Sequence, residues 1–267
     1  MTTYWRRLRE LTLERGPLCV GIDPHASLLH SWGLPGDASG AERCGRALVE
    51  ALGDKVTAFK PQSAFFEAYG SAGIAALERV LADIAQTGAL SILDVKRGDI
   101  GSTMEAYADA YLADGSPLAA DAITLSPYLG FGSLAPAFER AHRYSRGVYV
   151  LARTSNPEGG SVQLALAEEG SVVQGIIDAA TDLNHVSRQK AVGLVVGGTH
   201  STLGCDLSDF NGSILVPGIG FQGGRMEDLP ALFGDAVDQV LAVVGRGVIS
   251  AGPDRTALRG KVDELLG

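Results

Sequence analysis

Residues 90–96 read LSILDVK, and the chain continues as RGDIGST to Thr103. Leu90, Ile92 and Leu93 form a short apolar run of the kind that makes a strand buried on both faces. The run then delivers Asp94 and Lys96, two positions apart and so on one face of a strand. Arg97 and Asp99 follow at once. A buried charge is costly unless an opposite charge meets it, and here both signs come together. The stretch reads as a strand that supplies core at its start and chemistry at its end.

Seven further runs share the pattern. They are LCVGID (18–23), TAFKP (57–61), AITLS (122–126), GVYVLAR (147–153), VGLVVGG (192–198), SILVPG (213–218) and VLAVVGR (240–246). Helical periodicity fills most gaps, at 41–54, 73–88, 102–115, 171–186 and 254–266. Gly88 suits a helix C-terminus, and Ser102-x-x-Glu105 has the spacing of a capping box. Between VGLVVGG and SILVPG there is room for a helix of a turn or two at most. Eight βα units in 267 residues predict an α/β fold, a (β/α)8 TIM barrel spanning 1–267 as a single domain. The rival, an open doubly wound sheet, accommodates neither the count of eight nor polar residues at so many strand ends.

Composition agrees. Hydrophobic residues make up 46% of the chain, charged residues only 20%, and 35 glycines provide turns. A net charge of −9 argues against a protein that coats nucleic acid. Three cysteines, with no CxxC pair, fit reduced thiols and a cytoplasmic setting. The opening MTTYWRRLRELTLERG is charged throughout, so no secretory leader is expected there, and no apolar run is long enough to suggest a membrane span.

In a barrel of this kind the loops after the strands build the active site. The polar residues standing there are Asp23, Lys60, Asp94 with Lys96 and Asp99, Ser126 with Pro127, and Arg153 to Asn156. The last two strands end in GIGFQGG (218–224) and Gly245-Arg246-Gly247. Glycine-rich backbone after strand 7 and an arginine after strand 8 suit a phosphate, with Gln222 as a neutral donor. Gly218-x-Gly220-x-x-Gly223 also matches a dinucleotide fingerprint, but it follows a strand carrying Pro217, and Arg246 stands where an acid is needed. The five histidines show neither HxH nor HExxH spacing; His25 and His200 lie in strand-end loops and are read as loop residues.

LDVKRGDIGST resembles the D-x-K-x-x-D-I-x-x-T signature of the orotidine 5′-phosphate decarboxylase family. The likeness extends to GIDP, FKPQ, SPY, PGIGFQGG and VGRGVI, and LARTSNP and LVVGGT look like its bacterial type 2 subgroup. Superfamily relatives that need magnesium, keto-gulonate phosphate decarboxylase and hexulose phosphate synthase, carry an acid where Lys60 stands. The resemblance therefore implies a metal- and cofactor-independent enzyme that converts orotidine 5′-monophosphate to UMP and CO2 in pyrimidine biosynthesis.

It also implies roles. Lys96 would protonate C6, Asp94 would lie by the departing carboxylate, and Lys60 and Asp99 would complete the charged array. Asp99, with Ile100 and Thr103, would serve the neighbouring subunit of a homodimer. Asp23 would hold the ribose, and Ser126 with Pro127 would read the pyrimidine. Gln222, Gly223, Gly245 and Arg246 would grip the phosphate. Two other readings are a magnesium-dependent sugar-phosphate lyase, against which Lys60 argues, and a phosphate-ligand sensor without turnover, against which the intact array argues.

Overall fold

A computed structural model describes residues 2–167 and 170–267. Eight parallel strands close into a barrel: β1 (Leu18–Ile22), β2 (Ala58–Pro61), β3 (Leu90–Arg97), β4 (Ala122–Leu125), β5 (Gly147–Arg153), β6 (Val192–Val196), β7 (Ile214–Val216) and β8 (Val240–Val244). They are neighbours in sequence order, and β1 closes the ring by pairing Leu18 with Ala242 of β8. The strands are short and almost wholly buried, because one face meets the barrel interior and the other the surrounding helices.

The main helices are α1 (Tyr4–Arg15), α2 (Ala38–Leu52), α3 (Gly70–Thr87), α4 (Gly101–Leu112), α5 (Ala135–Arg143), α6 (Val172–Ser187), α7 (Arg246–Ile249) and α8 (Arg255–Leu266). Residues such as Leu48, Leu77, Val80 and Ile177 pack them on the barrel in one continuous apolar layer. Short polar side chains start several helices: Asp37, Ser171 and Asp254 each accept a backbone N–H of the first turn. Gly88 ends α3 in the left-handed conformation, as its position predicts.

A second apolar cluster fills the barrel itself, with Cys19, Ala58, Ile92, Tyr149 and Leu241. Helix α1 plugs the end opposite the strand C-termini. It inserts Tyr4 and Leu8, and the Tyr4 hydroxyl lies 2.9 Å from that of Tyr149. With that end filled, the cavity among the described residues opens at the C-terminal end of the barrel.

Two local expectations fail. The capping box does not form: α4 begins at Gly101, one residue before Ser102, with Ile100 at the N-cap position and no side chain capping it. The Asp99 carboxylate accepts the N–H of Ile100 itself at 2.8 Å, which leaves the first turn of α4 without a side-chain cap. Among the described residues, those from 197 to 213 form turns and no helix. Leu203, Leu207 and Phe210 cover that side of the barrel in its place.

Candidate active site

The end of β3 is where the backbone departs from ideality. Its pairing with β4 shifts register between Leu93 and Arg97, and Lys96 has φ of 45°. A non-glycine residue in that region costs on the order of 1–3 kcal/mol and persists only where neighbours hold it. Here the Lys96 N–H donates to Thr124 Oγ1 on β4 at 2.9 Å. The bulge turns the lysine side chain back along the strand toward Asp94.

Asp94 is the hub. Its Oδ1 accepts from Lys96 Nζ at 2.5 Å and from Thr124 Oγ1 at 2.8 Å, while its Oδ2 accepts from Lys60 Nζ at 2.8 Å. Lys60 stands on β2, and its Nζ also reaches Gln62 Oε1 at 3.2 Å. Burial by itself disfavours ionisation of Asp94, but the adjacent Lys60 and Lys96 ammonium groups outweigh it and hold the carboxyl well below its usual range. Lys60 is likewise penalised by burial, yet Asp94 and Asp23 hold its pKa above the usual lysine value. The buried side chains are thus fixed in charged form. Lys96 differs from Lys60 in access: its side chain is 45% exposed against 8%, so it faces the open cavity.

That cavity, of about 690 Å³, occupies the C-terminal mouth of the barrel. Leu151, Val195, Leu215 and Val243 give it an apolar floor below the charged array. Asp23 and Arg246 line one side. A Cβ at Gly21 or Gly245 would fall within 2.7 Å and 2.6 Å of Asp23 Oδ2, so glycine at both positions makes the seat for this carboxylate. Arg246 opens α7 directly after β8, and the Phe221 ring centroid lies 4.3 Å from its guanidinium carbon. Stacking covers the face of the guanidinium and leaves its in-plane N–H fork available to an anion. Ser155 Oγ donates to Gln222 Oε1 at 3.3 Å, linking the loops after β5 and β7 across the mouth. His25 also lines the cavity; partial burial, then the Arg246 charge, lower its pKa, with Asp23 opposing.

Of the residues expected from sequence, Asp23, Lys60, Asp94, Lys96, Gln222, Gly245 and Arg246 converge on this cavity. Gly223 does not line it; its N–H turns back to Gly220 O at 2.9 Å within the loop. Ser126 and Pro127 lie beside it, with the Ser126 N–H donated to Arg97 O at 2.8 Å. Asp99, Ile100 and Thr103 lie outside it on the rim. Thr124 also lines it without having been singled out in the sequence, and Gln62 and Phe221, which the motifs FKPQ and GIGFQGG contain, line it without an expected role. Gln62 is two residues beyond Lys60 and Thr124 two before Ser126, so the same alternation that pairs Asp94 with Lys96 points to both.

A closed parallel barrel with a charged hub at the C-terminal ends of its strands and an arginine at its mouth has the architecture of a (β/α)8 enzyme. Residues 16–260 match the model of the Orotidine 5′-phosphate decarboxylase / HUMPS family, and the chain belongs to that family. An orotidine 5′-phosphate decarboxylase of Salinispora tropica is 52% identical over 268 residues, covering 100% of this chain and 96% of that one. A crystal structure from Streptomyces avermitilis has TM-score 0.93 and 50% identity, over 100% of this chain and 94% of that chain. The structure of Leishmania donovani OMP decarboxylase has TM-score 0.77 and 31% identity, over 98% of this chain and 97% of that chain.

Proposed function

We propose that this protein decarboxylates orotidine 5′-monophosphate to UMP and CO2, the closing step of UMP synthesis, with Lys96 protonating C6. The observation that carries this reading is the hub: one buried carboxylate bound by two ammonium groups, of which Lys96 is the more exposed to the cavity. In the reaction the C6–carboxylate bond breaks, CO2 departs, and the electron pair stays on C6. Lys96 Nζ delivers a proton to that carbon and regains one from water. Lys60 and Lys96 supply a fixed positive field where the negative charge develops, without reorganising at that moment. Asp94 holds both in place and lies close to the departing carboxylate.

Asp23, seated against Gly245, would hold the ribose hydroxyls, and Arg246 and Gln222 the phosphate. Remote phosphate contacts of this kind raise kcat by driving loops shut around the reacting centre. Ser126 and Pro127 would meet the pyrimidine edge from the rim. The reading needs no metal at Asp94, because Lys60 stands where the magnesium-dependent relatives have an acid and both oxygens of Asp94 are engaged by ammonium groups.

The same reading makes the enzyme a homodimer. Asp99, Ile100 and Thr103 sit off their own chain's cavity, and the rim beside them exposes Ile100 (63%), Tyr128 (81%) and Leu129 (53%). A partner covering this rim would receive Asp99 in its site. The chain would act as one catalytic domain in the cytoplasm; among the described residues no helix is long and apolar enough to cross a membrane. The direct test follows loss of orotidylate absorbance with purified protein, with and without EDTA. Turnover unaffected by EDTA is expected; no loss of orotidylate absorbance, with or without added magnesium, overturns the reading.

A further inference from the structure

We infer that Thr124 is a positioning residue for the proton donor, its hydroxyl tying the backbone of Lys96 to the carboxylate of Asp94. Both contacts are on one oxygen. The Lys96 N–H donates to Thr124 Oγ1 at 2.9 Å, and Thr124 Oγ1 lies 2.8 Å from Asp94 Oδ1. A backbone N–H has only a proton to give, so it occupies a lone pair of the hydroxyl. An ionised carboxylate only accepts, so the hydroxyl proton must point at Asp94. The direction of both bonds is therefore fixed, and the hydroxyl has no freedom to rotate away.

The position explains why the arrangement persists. Thr124 is 1% exposed, on a strand adjacent to β3, so water does not compete for either bond. Lys96 holds a left-handed backbone within the irregular stretch of β3, where ordinary ladder pairing with β4 is interrupted between Leu93 and Arg97. Its N–H would lose this partner if the hydroxyl were removed, and the left-handed backbone of Lys96 would lose a contact that holds it. Lys96 Nζ would then leave the Asp94 oxygen that it shares with Thr124. A displacement of the donor by a fraction of an ångström acts on the chemical step while leaving the phosphate and ribose contacts alone.

This inference rests on Lys96 being the proton donor, and the experiment separates the two. Thr124→Val keeps the shape and removes the hydroxyl, Thr124→Ser keeps the hydroxyl, and Thr124→Ala removes it with a smaller side chain. Steady-state kcat and KM for orotidine 5′-monophosphate are measured for each, with Lys96→Ala alongside. Thr124→Val is expected to lose at least about tenfold in kcat, the scale of a hydrogen bond to a charged group, with KM changed less than about twofold. Thr124→Ser is expected to recover most of the rate. If Thr124→Val does not fold, the Ser and Ala variants decide: Ser should exceed Ala by about tenfold or more. Equal kcat for Ser and Ala, or a Val variant with wild-type kcat, overturns the inference while leaving Lys96 in its role. A Lys96→Ala enzyme that still turns over removes the proton-donor assignment, and this inference with it.

Discussion

Asp94 and Lys60 meet at 2.8 Å with side chains only 9% and 8% exposed, so each depends on the other to remain charged. Replacing Asp94 by Asn leaves the Lys60 ammonium buried without the carboxylate that it is hydrogen-bonded to, and should cost about 3–5 kcal/mol in unfolding free energy. The pH dependence follows from the directions of the two shifts. Asp94 is held below its unfolded value, so its contribution is full above about pH 4 and is lost as pH falls through the folded value. Lys60 is held above its unfolded value, so its contribution is full below about pH 10 and is lost as pH rises through the folded value. Urea unfolding of wild type and Asp94→Asn should therefore show an offset that shrinks as pH falls below about 4, where Asp94 takes up its proton, and shrinks again toward alkaline pH, where the unpaired Lys60 of the variant sheds its own. An offset that does not shrink in acid contradicts the pairing. At this scale the spacing of Asp94 and Lys96 was readable, since strand alternation alone puts them on one face. The left-handed backbone of Lys96 was not, because no glycine marks it and the contacts with Thr124 and Asp94 that hold it are tertiary.

The strands were legible as elements because each is a short apolar run ending in polar residues, and their bounds fall within a residue or two of the expected ones. Helix α1 was not, because arginines and glutamates dominate it and just two buried residues, Tyr4 and Leu8, face the barrel. Its role as a plug becomes visible only when those two are seen against Tyr149 and Leu90 at the closed end. Leu8→Ala removes an anchor that is 3% exposed and should cost about 2–4 kcal/mol in stability. Because the plug lies at the opposite end of the barrel from the cavity, kcat/KM of the folded variant should stay within about twofold of wild type, well under the tenfold per 1.4 kcal/mol that a disturbed site would show. Thermal unfolding and steady-state assay of the same preparation check both halves, and a stability loss under 1 kcal/mol or so speaks against the plug. The chain after β6 misled for a related reason: turns carrying Leu203, Leu207 and Phe210 close the core without helical periodicity.

At the scale of the whole molecule, the sequence reading of eight βα units matches the closed barrel. What a single chain cannot display is a residue working in another subunit's site. Asp99, Ile100 and Thr103 carry the family signature yet stand on the rim, and the exposed Tyr128 and Leu129 beside them suit a buried interface better than solvent. A homodimer sharing Asp99 makes a quantitative prediction by complementation. Lys96→Ala and Asp99→Ala should each be inactive alone. When they are mixed and reassorted, roughly a quarter of the native specific activity should return, because half the dimers are mixed and each has one intact site. No recovery from a mixture shown to exchange subunits contradicts the shared site.

The central claim is that Lys96 gives C6 its proton, and the most direct measurement is orotidylate turnover by Lys96→Ala. The variant should unfold at a temperature near that of wild type and should still bind UMP, because the ribose and phosphate contacts are untouched. It should release no detectable CO2 from saturating orotidine 5′-monophosphate. Substantial residual decarboxylation by this folded, ligand-binding variant would contradict the account.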